Sequence, residues 1–384
     1  MEEFADAIKL RARGPCLRWR AVQTGTFGSR KRSCCPSVRY IPQSSNATAQ
    51  ARRDCLTRAV LRRSRSLSPE GLSGPKSRRV RSAARSSKKD RVMAKTQVTP
   101  IPIRTLEQAL LAFCGTAKTQ SGQHIKPFHA HCSNRLVIEG GFPPEWVRPC
   151  PPLASKPGAN NRYPLSFSKA CEDPSEQSVL GGMKYKSIDV TVVIPGIGPA
   201  LGISAKSTGN AFRNLTNRME EAPGDCANIH MMYPGFVFGF LHLIKFAKST
   251  EVSSPNDASF NAEGKPLESI VRYHNALSAL TGRTTITDAP MRYESVGLLV
   301  YRCLEGKAEV WPNYPPAESP IHCSRFFQKL YDIYDLRYAY PDASGRNHRK
   351  MWVVPKGALA EKVDAVAGFP WEPRLSSDEP EPIS

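Results

Sequence analysis

The chain has 384 residues, of which 54 are lysine or arginine, 34 are aspartate or glutamate and 40% are hydrophobic. This length and apolar content suffice for a globular domain with a buried core, and they exclude collagen-like, coiled-coil and wholly disordered proteins. The longest apolar run, 233–246, contains His242 and Lys245 and is shorter than the roughly 18 to 20 residues needed to cross a bilayer. A membrane-spanning protein is therefore excluded as well.

The cysteine content bears on the redox state of the protein. There are 11 cysteines, an odd number, and the sequence shows neither a signal peptide nor a C-x-x-C pair. These features disfavour both a disulfide framework and a ribbon-type zinc site. We expect reduced thiols and a cytoplasmic location.

Nearly all of the net positive charge lies in residues 1–92, which hold 23 lysines and arginines against 6 aspartates and glutamates. This stretch is rich in arginine and serine, as in 62–66, and sustains no hydrophobic period of 2 or 3.6. We expect a disordered basic extension. Three explanations stay open: an arm that binds nucleic-acid phosphates, an organelle-targeting sequence, or a start site placed too far upstream, because the next methionine is Met93.

The pattern of a folded protein begins after Met93. Thr105 and Gln108 form a capping-box pattern at the start of a predicted helix. A proline-rich passage over 143–157 predicts loop or extended chain. The alternation of apolar and polar residues then predicts a β-hairpin. Its first strand, turn and second strand are expected at 186–194, 195–199 and 200–207.

Further helices and strands are predicted after the hairpin. A helix over 210–221 is expected to end at Pro223 and Gly224, and the apolar run 233–246 is expected to be a buried helix or a buried strand. The folded part is expected to be one α/β domain over 93–370, with an acidic, proline-rich tail over 371–384. Its later elements are a helix from Pro266, a strand pair at 296–303 and 308–311, and an amphipathic helix around 326–334.

Three polar side chains are predicted to share one face of the hairpin. Asp189 lies opposite the apolar face of the first strand, and Ser204 and Lys206 lie opposite that of the second. Glu220 follows on the next predicted helix. Carboxylates are the ligands that Mg²⁺ prefers, and a lysine ammonium orients water and offsets charge on a phosphate. We therefore expect Asp189 and Glu220 to hold Mg²⁺, with Lys206 acting beside them.

This arrangement resembles the PD-(D/E)XK nuclease superfamily over the strand, strand, helix segment rather than over the whole chain. The usual pattern is an Asp on one strand and acid-x-Lys on the next; here Ile188 stands where a proline is common, and Ser204 stands where the second acid is common. One subgroup of restriction endonucleases is similar in having Ser-x-Lys on the strand and the missing acid on the following helix, the pattern of Ser204, Lys206 and Glu220. Segment 211–221 also resembles uncharacterised bacterial restriction-endonuclease-like proteins.

The resemblance implies a restriction-endonuclease-like core, in which a mixed sheet is flanked by helices, and Mg²⁺-dependent hydrolysis of double-stranded DNA of the type II restriction class. It assigns catalytic roles to Asp189, Ser204, Lys206 and Glu220, with Ser204 supporting the site by hydrogen bonding. Palindromic DNA is usually bound by two-fold symmetric proteins, so a homodimer is expected. Two alternatives remain: a catalytically inactive nuclease-fold module that binds nucleic acid or protein, and an ordinary cross-strand pair of Asp189 with Lys206.

Several other residues are further candidates for the site. Glu221 is the alternative metal ligand to Glu220 if the phase of the helix turns it towards the site. Glu172 or Glu176 is a candidate for an additional carboxylate. The His-Ala-His-Cys cluster at 129–132 resembles a metal site but lacks a further ligand at a standard spacing. The candidates for phosphate contacts, or equally for ordinary exposed charges, are Arg213, Arg218, Lys184 and Lys186.

Overall fold

The computed structural model describes residues 100–115, 122–158, 162–208, 215–254, 257–341, 348–359, 369–370 and 372–376. The basic extension predicted over 1–92, the first residues of the helix predicted from 210, and Arg213 lie outside the described residues. The helices are α1 (Leu106–Cys114), α2 (Lys126–Ile138), α3 (Leu215–Met232), α4 (Glu268–Leu280) and α5 (Phe326–Arg337). The strands are β1 (Val147–Arg148), β2 (Leu153–Ser155), β3 (Arg162–Phe167), β4 (Gln177–Leu180), β5 (Tyr185–Ile188), β6 (Val190–Ile194), β7 (Gly198–Thr208), β8 (Val237–Lys245), β9 (Ser295–Leu304), β10 (Lys307–Val310) and β11 (Met351–Val353).

A mixed six-stranded sheet forms the centre of the fold, in the order β1-β6-β7-β8-β9-β10. β6 and β7 are antiparallel, β7, β8 and β9 are parallel, and β9 and β10 are antiparallel. Two small sheets accompany it, one of β11, β3 and β2 and the other of β4 and β5. The predicted α/β class, with a mixed sheet flanked by helices, is confirmed.

Two hydrophobic cores lie on opposite faces of the central sheet. In one, side chains of α1, α2 and α5, such as Phe128, pack with Ile203 of β7. In the other, Ile229 of α3 and Ile270 of α4 pack with Phe240 of β8. Because β8 is covered on both faces, its sequence is almost continuously apolar, which explains why periodicity did not identify it as a strand. None of the described helices is long and apolar enough to cross a membrane.

Local sequence signals account for the start of α1 and for the hairpin. Thr105 Oγ1 accepts a hydrogen bond from the Gln108 N–H, and the Gln108 side chain accepts one from the Thr105 N–H, so the predicted capping box is present. The turn between β6 and β7 contains Gly196 and Gly198, both at positive φ, a conformation that glycine adopts without steric cost. The predicted capping box and hairpin turn are confirmed, but the strand predicted over 186–194 is divided at Asp189 into β5 and β6, which belong to different sheets.

Helix α3 runs through Pro223 and Gly224, where the sequence predicted it to end. A proline inside a helix removes a backbone hydrogen bond and costs about 3 kcal/mol. The residues beyond it offset this cost, because Cys226 and Ile229 are fully buried in the core beneath α3. The predicted end of the helix was wrong because tertiary burial outweighs the local preference.

A disulfide between Cys114 and Cys303 joins the end of α1 to β9. The two Cα atoms lie 5.6 Å apart, within the usual range for such bonds. The prediction of reduced thiols was therefore wrong for this pair, because the contact joins residues that are 189 positions apart and no local spacing reveals it.

A buried ion-pair network links the starts of β8 and β9 to the end of α5. Glu294 is fully buried, and its Oε1 accepts hydrogen bonds from Arg283 at 2.5 Å and from Arg337 at 2.7 Å. Its Oε2 accepts the backbone N–H of Phe238 at 2.7 Å and lies 3.5 Å from Nε2 of His230. Burial disfavours the charged form, but these donors and charges outweigh it and hold the pKa of Glu294 below its ordinary value.

Residues 372–376 continue the folded body past the predicted boundary at 370. The backbone N–H of Arg374 donates to the carbonyl of Ile138 at the end of α2. The N–H of Trp352 in β11 donates in turn to the carbonyl of Arg374. The rest of the predicted tail, 377–384, lies outside the described residues.

Candidate active site

Asp189 lies where the chain passes from one sheet to another. β5 pairs with β4 in the small sheet, and β6 enters the central sheet directly after Asp189. The ladder between β6 and β7 ends at the pair of Val190 and Ile203. Oδ2 of Asp189 then accepts the N–H of Ala205 at 2.8 Å, so the carboxylate satisfies a backbone donor just past the end of the ladder. The break between β5 and β6 therefore fixes this carboxylate against β7.

Ser204 and Lys206 meet the same carboxylate from β7. Ser204 Oγ donates to Asp189 Oδ2 at 3.0 Å, and Lys206 Nζ lies 3.6 Å from that oxygen. Ser204 and Asp189 are buried, whereas 22% of the Lys206 side chain is exposed. The structure thus brings together three of the four residues to which the resemblance assigns catalytic roles, and leaves the ammonium group partly open to solvent.

Helix α3 places Glu221 and Asp225, rather than Glu220, beside Lys206. Both line a narrow cleft that also contains Lys206, whereas Glu220 does not line it; Glu220 and Glu221 are both exposed to solvent. Successive residues of a helix are about 100° apart. Because Ala222 faces the core, Glu221 lies at the edge of the buried face and Glu220 lies on the solvent side.

The two carboxylates in the cleft are each paired with a cation. Glu221 accepts a hydrogen bond from Arg218, and Asp225 forms an ion pair with Lys186. Burial opposes the charge of Glu221, but the hydrogen bond and charge of Arg218, together with the charges of Lys206 and Lys186, hold its pKa below the ordinary value. The anionic side chains of the cleft are therefore each neutralised by a neighbouring cation.

The turn between β4 and β5 is fixed to α3. Oδ1 of Asn228 accepts the backbone N–H groups of Met183 and Lys184, at 2.8 and 3.0 Å. This holds Lys184 Nζ 4.0 Å from Asp225, beside the cleft. Of the predicted phosphate contacts, Arg218, Lys184 and Lys186 therefore lie at or beside the cleft, and Arg213 lies outside the described residues.

A second group of side chains reaches Asp189 from α2 and from the segment before β4. One donor atom each of His129, Glu176 and Asp189 lie within 4.8 Å of one another. Nδ1 of His129 is 3.5 Å from Oε1 of Glu176, and Oε2 of Glu176 accepts a hydrogen bond from Ser187 at 3.0 Å. A cavity of about 580 Å³ opens beside this group and is lined in part by His129, Glu176 and Lys126.

The structure separates the two alternatives for an additional carboxylate. Glu172 pairs with Lys169 on the surface, whereas Glu176 extends towards His129 and Asp189. The sequence did not distinguish them, because both lie in a loop and neither has a fixed register relative to Asp189.

The structure also divides the His-Ala-His-Cys cluster at 129–132. His131 is hydrogen-bonded to the backbone carbonyl of Arg104 at 2.9 Å, and Cys132 is fully buried in the core. His129 is the member of the cluster that lies close to Asp189. The carboxylates that lie near His129 thus come from two distant segments, and no spacing rule links them to the cluster.

Acid is expected to destabilise the fold through His242, which lies opposite Lys206 in the ladder between β7 and β8. Burial, with a smaller effect of the Arg218 charge, lowers the pKa of His242 to about 3 from its ordinary 6.5. As the pH falls below 6.5 the unfolded chain takes up a proton that the folded chain refuses, so stability is lost with acid. Between pH 7.5 and pH 5 this residue should account for a loss of about 2 kcal/mol.

Urea unfolding of the protein and of a His242→Gln variant at both pH values measures how much of the stability lost in acid is due to His242. The variant should lose less stability than the unchanged protein between the two conditions. An equal loss in both would show that His242 is not responsible.

No protein-family model matches the chain, and neither a curated protein nor a solved structure matches it.

Proposed function

We propose that this protein is a Mg²⁺-dependent endodeoxyribonuclease of the type II restriction class, which hydrolyses phosphodiester bonds in double-stranded DNA. The observation that carries the proposal is the contact of Lys206 with Asp189: the ammonium lies 3.6 Å from a carboxylate oxygen that Ser204 and the Ala205 N–H already hold in place. A fixed cation beside a carboxylate at the mouth of a cleft is suited to a reaction in which negative charge develops on a phosphate.

The order of the elements supports the proposed restriction-endonuclease-like core. β6 and β7 form an antiparallel hairpin, with Asp189 immediately before β6 and the Ser-x-Lys pattern on β7; α3 follows, and β8 runs parallel to β7. This is the strand, strand, helix segment on which the resemblance to the PD-(D/E)XK nucleases depends.

The chemistry of the donors fits a hard divalent cation. Asp189 uses Oδ2 for its contacts with β7 and has a second oxygen, and Glu221 and Asp225 of α3 line the cleft together with Ser204 and Lys206. Asp189 with a carboxylate of α3 would therefore hold Mg²⁺, which prefers oxygen ligands. When bound, the ion supplies positive charge to the scissile phosphate.

The side chains of the protein have separate roles in this proposal. Lys206 orients the attacking water and offsets the charge that develops on the phosphate, while Ser204 holds Asp189 in position. Arg218, Lys184 and Lys186 attract the DNA backbone. Lys186 and Arg218 are paired with acids, so a phosphate that binds there exchanges one anionic partner for another. A homodimer and a cytoplasmic location belong to the same proposal.

The test is incubation of the full-length protein with unmodified genomic DNA and Mg²⁺, with and without EDTA. Discrete fragments that appear with Mg²⁺ and disappear with EDTA are expected. A folded protein that binds DNA without cutting it would contradict the nuclease and favour the inactive nuclease-fold module. The absence of both cleavage and DNA binding would contradict both functions.

A further inference from the structure

The group formed by His129, Glu176 and Asp189 contains a buried histidine. His129 is 2% exposed, and neither of its ring nitrogens makes a hydrogen bond of normal geometry with another described residue. Nδ1 lies 3.5 Å from Glu176, and the geometry is that of charge proximity rather than of a hydrogen bond. Buried polar atoms are nearly always satisfied, so this imidazole is expected to have a partner that is not a protein side chain.

The three donors have the chemistry and spacing of a cation site. Two carboxylates and a neutral imidazole carry a net charge that one divalent ion balances. Donors around an ion at about 2.1 Å lie about 3 to 4 Å apart, and the donor atoms here are within 4.8 Å of one another. Small rotations of the side chains are enough to close them around an ion.

The same group is open to solvent on the side of the cavity. The cavity of about 580 Å³ is lined by both His129 and Glu176. The Glu176 side chain is 31% exposed, whereas that of His129 is 3% exposed. An ion can therefore enter along the carboxylate and reach a buried nitrogen.

We propose that His129, Glu176 and Asp189 bind a divalent transition cation such as Mn²⁺. Imidazole nitrogen favours ions of this class, whereas Mg²⁺ prefers an all-oxygen set that keeps several waters. The group should therefore bind Mn²⁺ at least about tenfold more tightly than Mg²⁺. The resemblance to nucleases assigns no role to His129 and includes Glu176 only as a candidate for an additional carboxylate.

The proposed site shares Asp189 with Lys206, which deepens the proposed function and rests on it for any role in cleavage. Asp189 then has two environments: Ser204, Ala205 and Lys206 on β7, and the imidazole and carboxylate from α2 and the segment before β4. Cation binding by the three residues does not itself require that the protein cut DNA.

Manganese binding to the full-length protein tests the inference, with the electron paramagnetic resonance signal of free Mn²⁺ as the readout. Glu176→Gln removes a ligand at the exposed end of the group and should weaken Mn²⁺ binding at least about tenfold, since even the outer partners of metal ligands change affinity by about 10- to 100-fold. Glu172→Gln is the matched control, because it removes the same charge from the same segment but leaves the group intact. It should bind Mn²⁺ like the unchanged protein.

His129→Gln provides an independent test at the buried ligand. It should reduce the preference for Mn²⁺ over Mg²⁺, because the nitrogen ligand is lost. Circular dichroism establishes that each variant is folded, and Glu176→Gln keeps the test decisive if the buried substitution unfolds the protein.

Three results would overturn the inference: no Mn²⁺ binding by the folded protein, equal binding by Glu176→Gln, or equal weakening by Glu172→Gln. DNA cleavage measured on the same samples separates the two proposals. Mn²⁺ binding that depends on Glu176, without any DNA cleavage, would support the cation site and contradict the nuclease. Mg²⁺-dependent cleavage without Glu176-dependent Mn²⁺ binding would support the nuclease and contradict the cation site.

Discussion

Replacing Lys206 with alanine is expected to slow metal-dependent DNA cleavage by about 10²- to 10³-fold while the protein stays folded. The ammonium is 3.6 Å from Asp189, and its side chain is partly exposed in the cleft, where the proposed reaction requires it to meet a phosphate. Cation binding should not weaken, because the substitution removes a positive charge beside Asp189, the carboxylate that we propose to bind the cation. Initial cleavage rates and Mn²⁺ affinity, measured on the same variant, separate a catalytic role from a structural one.

Lys307→Ala is the matched control for this prediction. Lys307 is exposed at the start of β10, three strands away from β7 in the central sheet. Its loss should change neither cleavage nor cation binding. If Lys206→Ala cleaves DNA at the rate of the unchanged protein, Asp189 and Lys206 form only an ordinary cross-strand ion pair without a catalytic role.

Glu294→Gln should lower the free energy of unfolding by about 3–5 kcal/mol, the largest effect on stability expected in this protein. The substitution keeps the shape of the side chain but removes the charge that faces Arg283 and Arg337. The side chains of these arginines are only 1% and 8% exposed, so their charges would stay buried without a counter-ion. Urea unfolding at neutral pH measures the change.

Glu309→Gln tests the same chemical change on the surface. Glu309 pairs with Arg302 across β9 and β10, and 46% of its side chain is exposed. An exposed ion pair contributes about 0–1 kcal/mol, so this variant should be nearly as stable as the unchanged protein. Similar losses for both variants would show that the network around Glu294 has no special role.

Local signals were enough to predict several elements. The capping box at Thr105 and Gln108 and the hairpin before α3 depend on residues within a few positions of one another, and the structure contains both. The alternation of polar and apolar residues also placed Asp189, Ser204 and Lys206 on one face, where the structure brings them into contact. The capping box follows from the geometry of a helix end, whereas the contact of Asp189 with β7 also depends on the break between β5 and β6, which places Ile188 and Val190 in different cores.

Predictions that depended on a helix boundary were less successful. Pro223 was expected to end α3, but the helix continues beyond it because Cys226 and Ile229 are buried in the core. The same packing determines the phase of α3, and therefore places Glu221 rather than Glu220 in the cleft. A one-residue difference in phase moves a side chain by about 100°, and sequence patterns do not resolve it.

The sequence by itself determined the α/β class, the hairpin and the shared face of Asp189, Ser204 and Lys206, because these follow from local periodicity and turn chemistry. Tertiary structure alone decided which distant groups reach Asp189: His129 and Glu176 arrive from α2 and from the segment before β4. It also decided the contact between Cys114 and Cys303. Long-range contacts of this kind follow from the packing of whole elements, for which the spacing of residues along the chain carries no local signal.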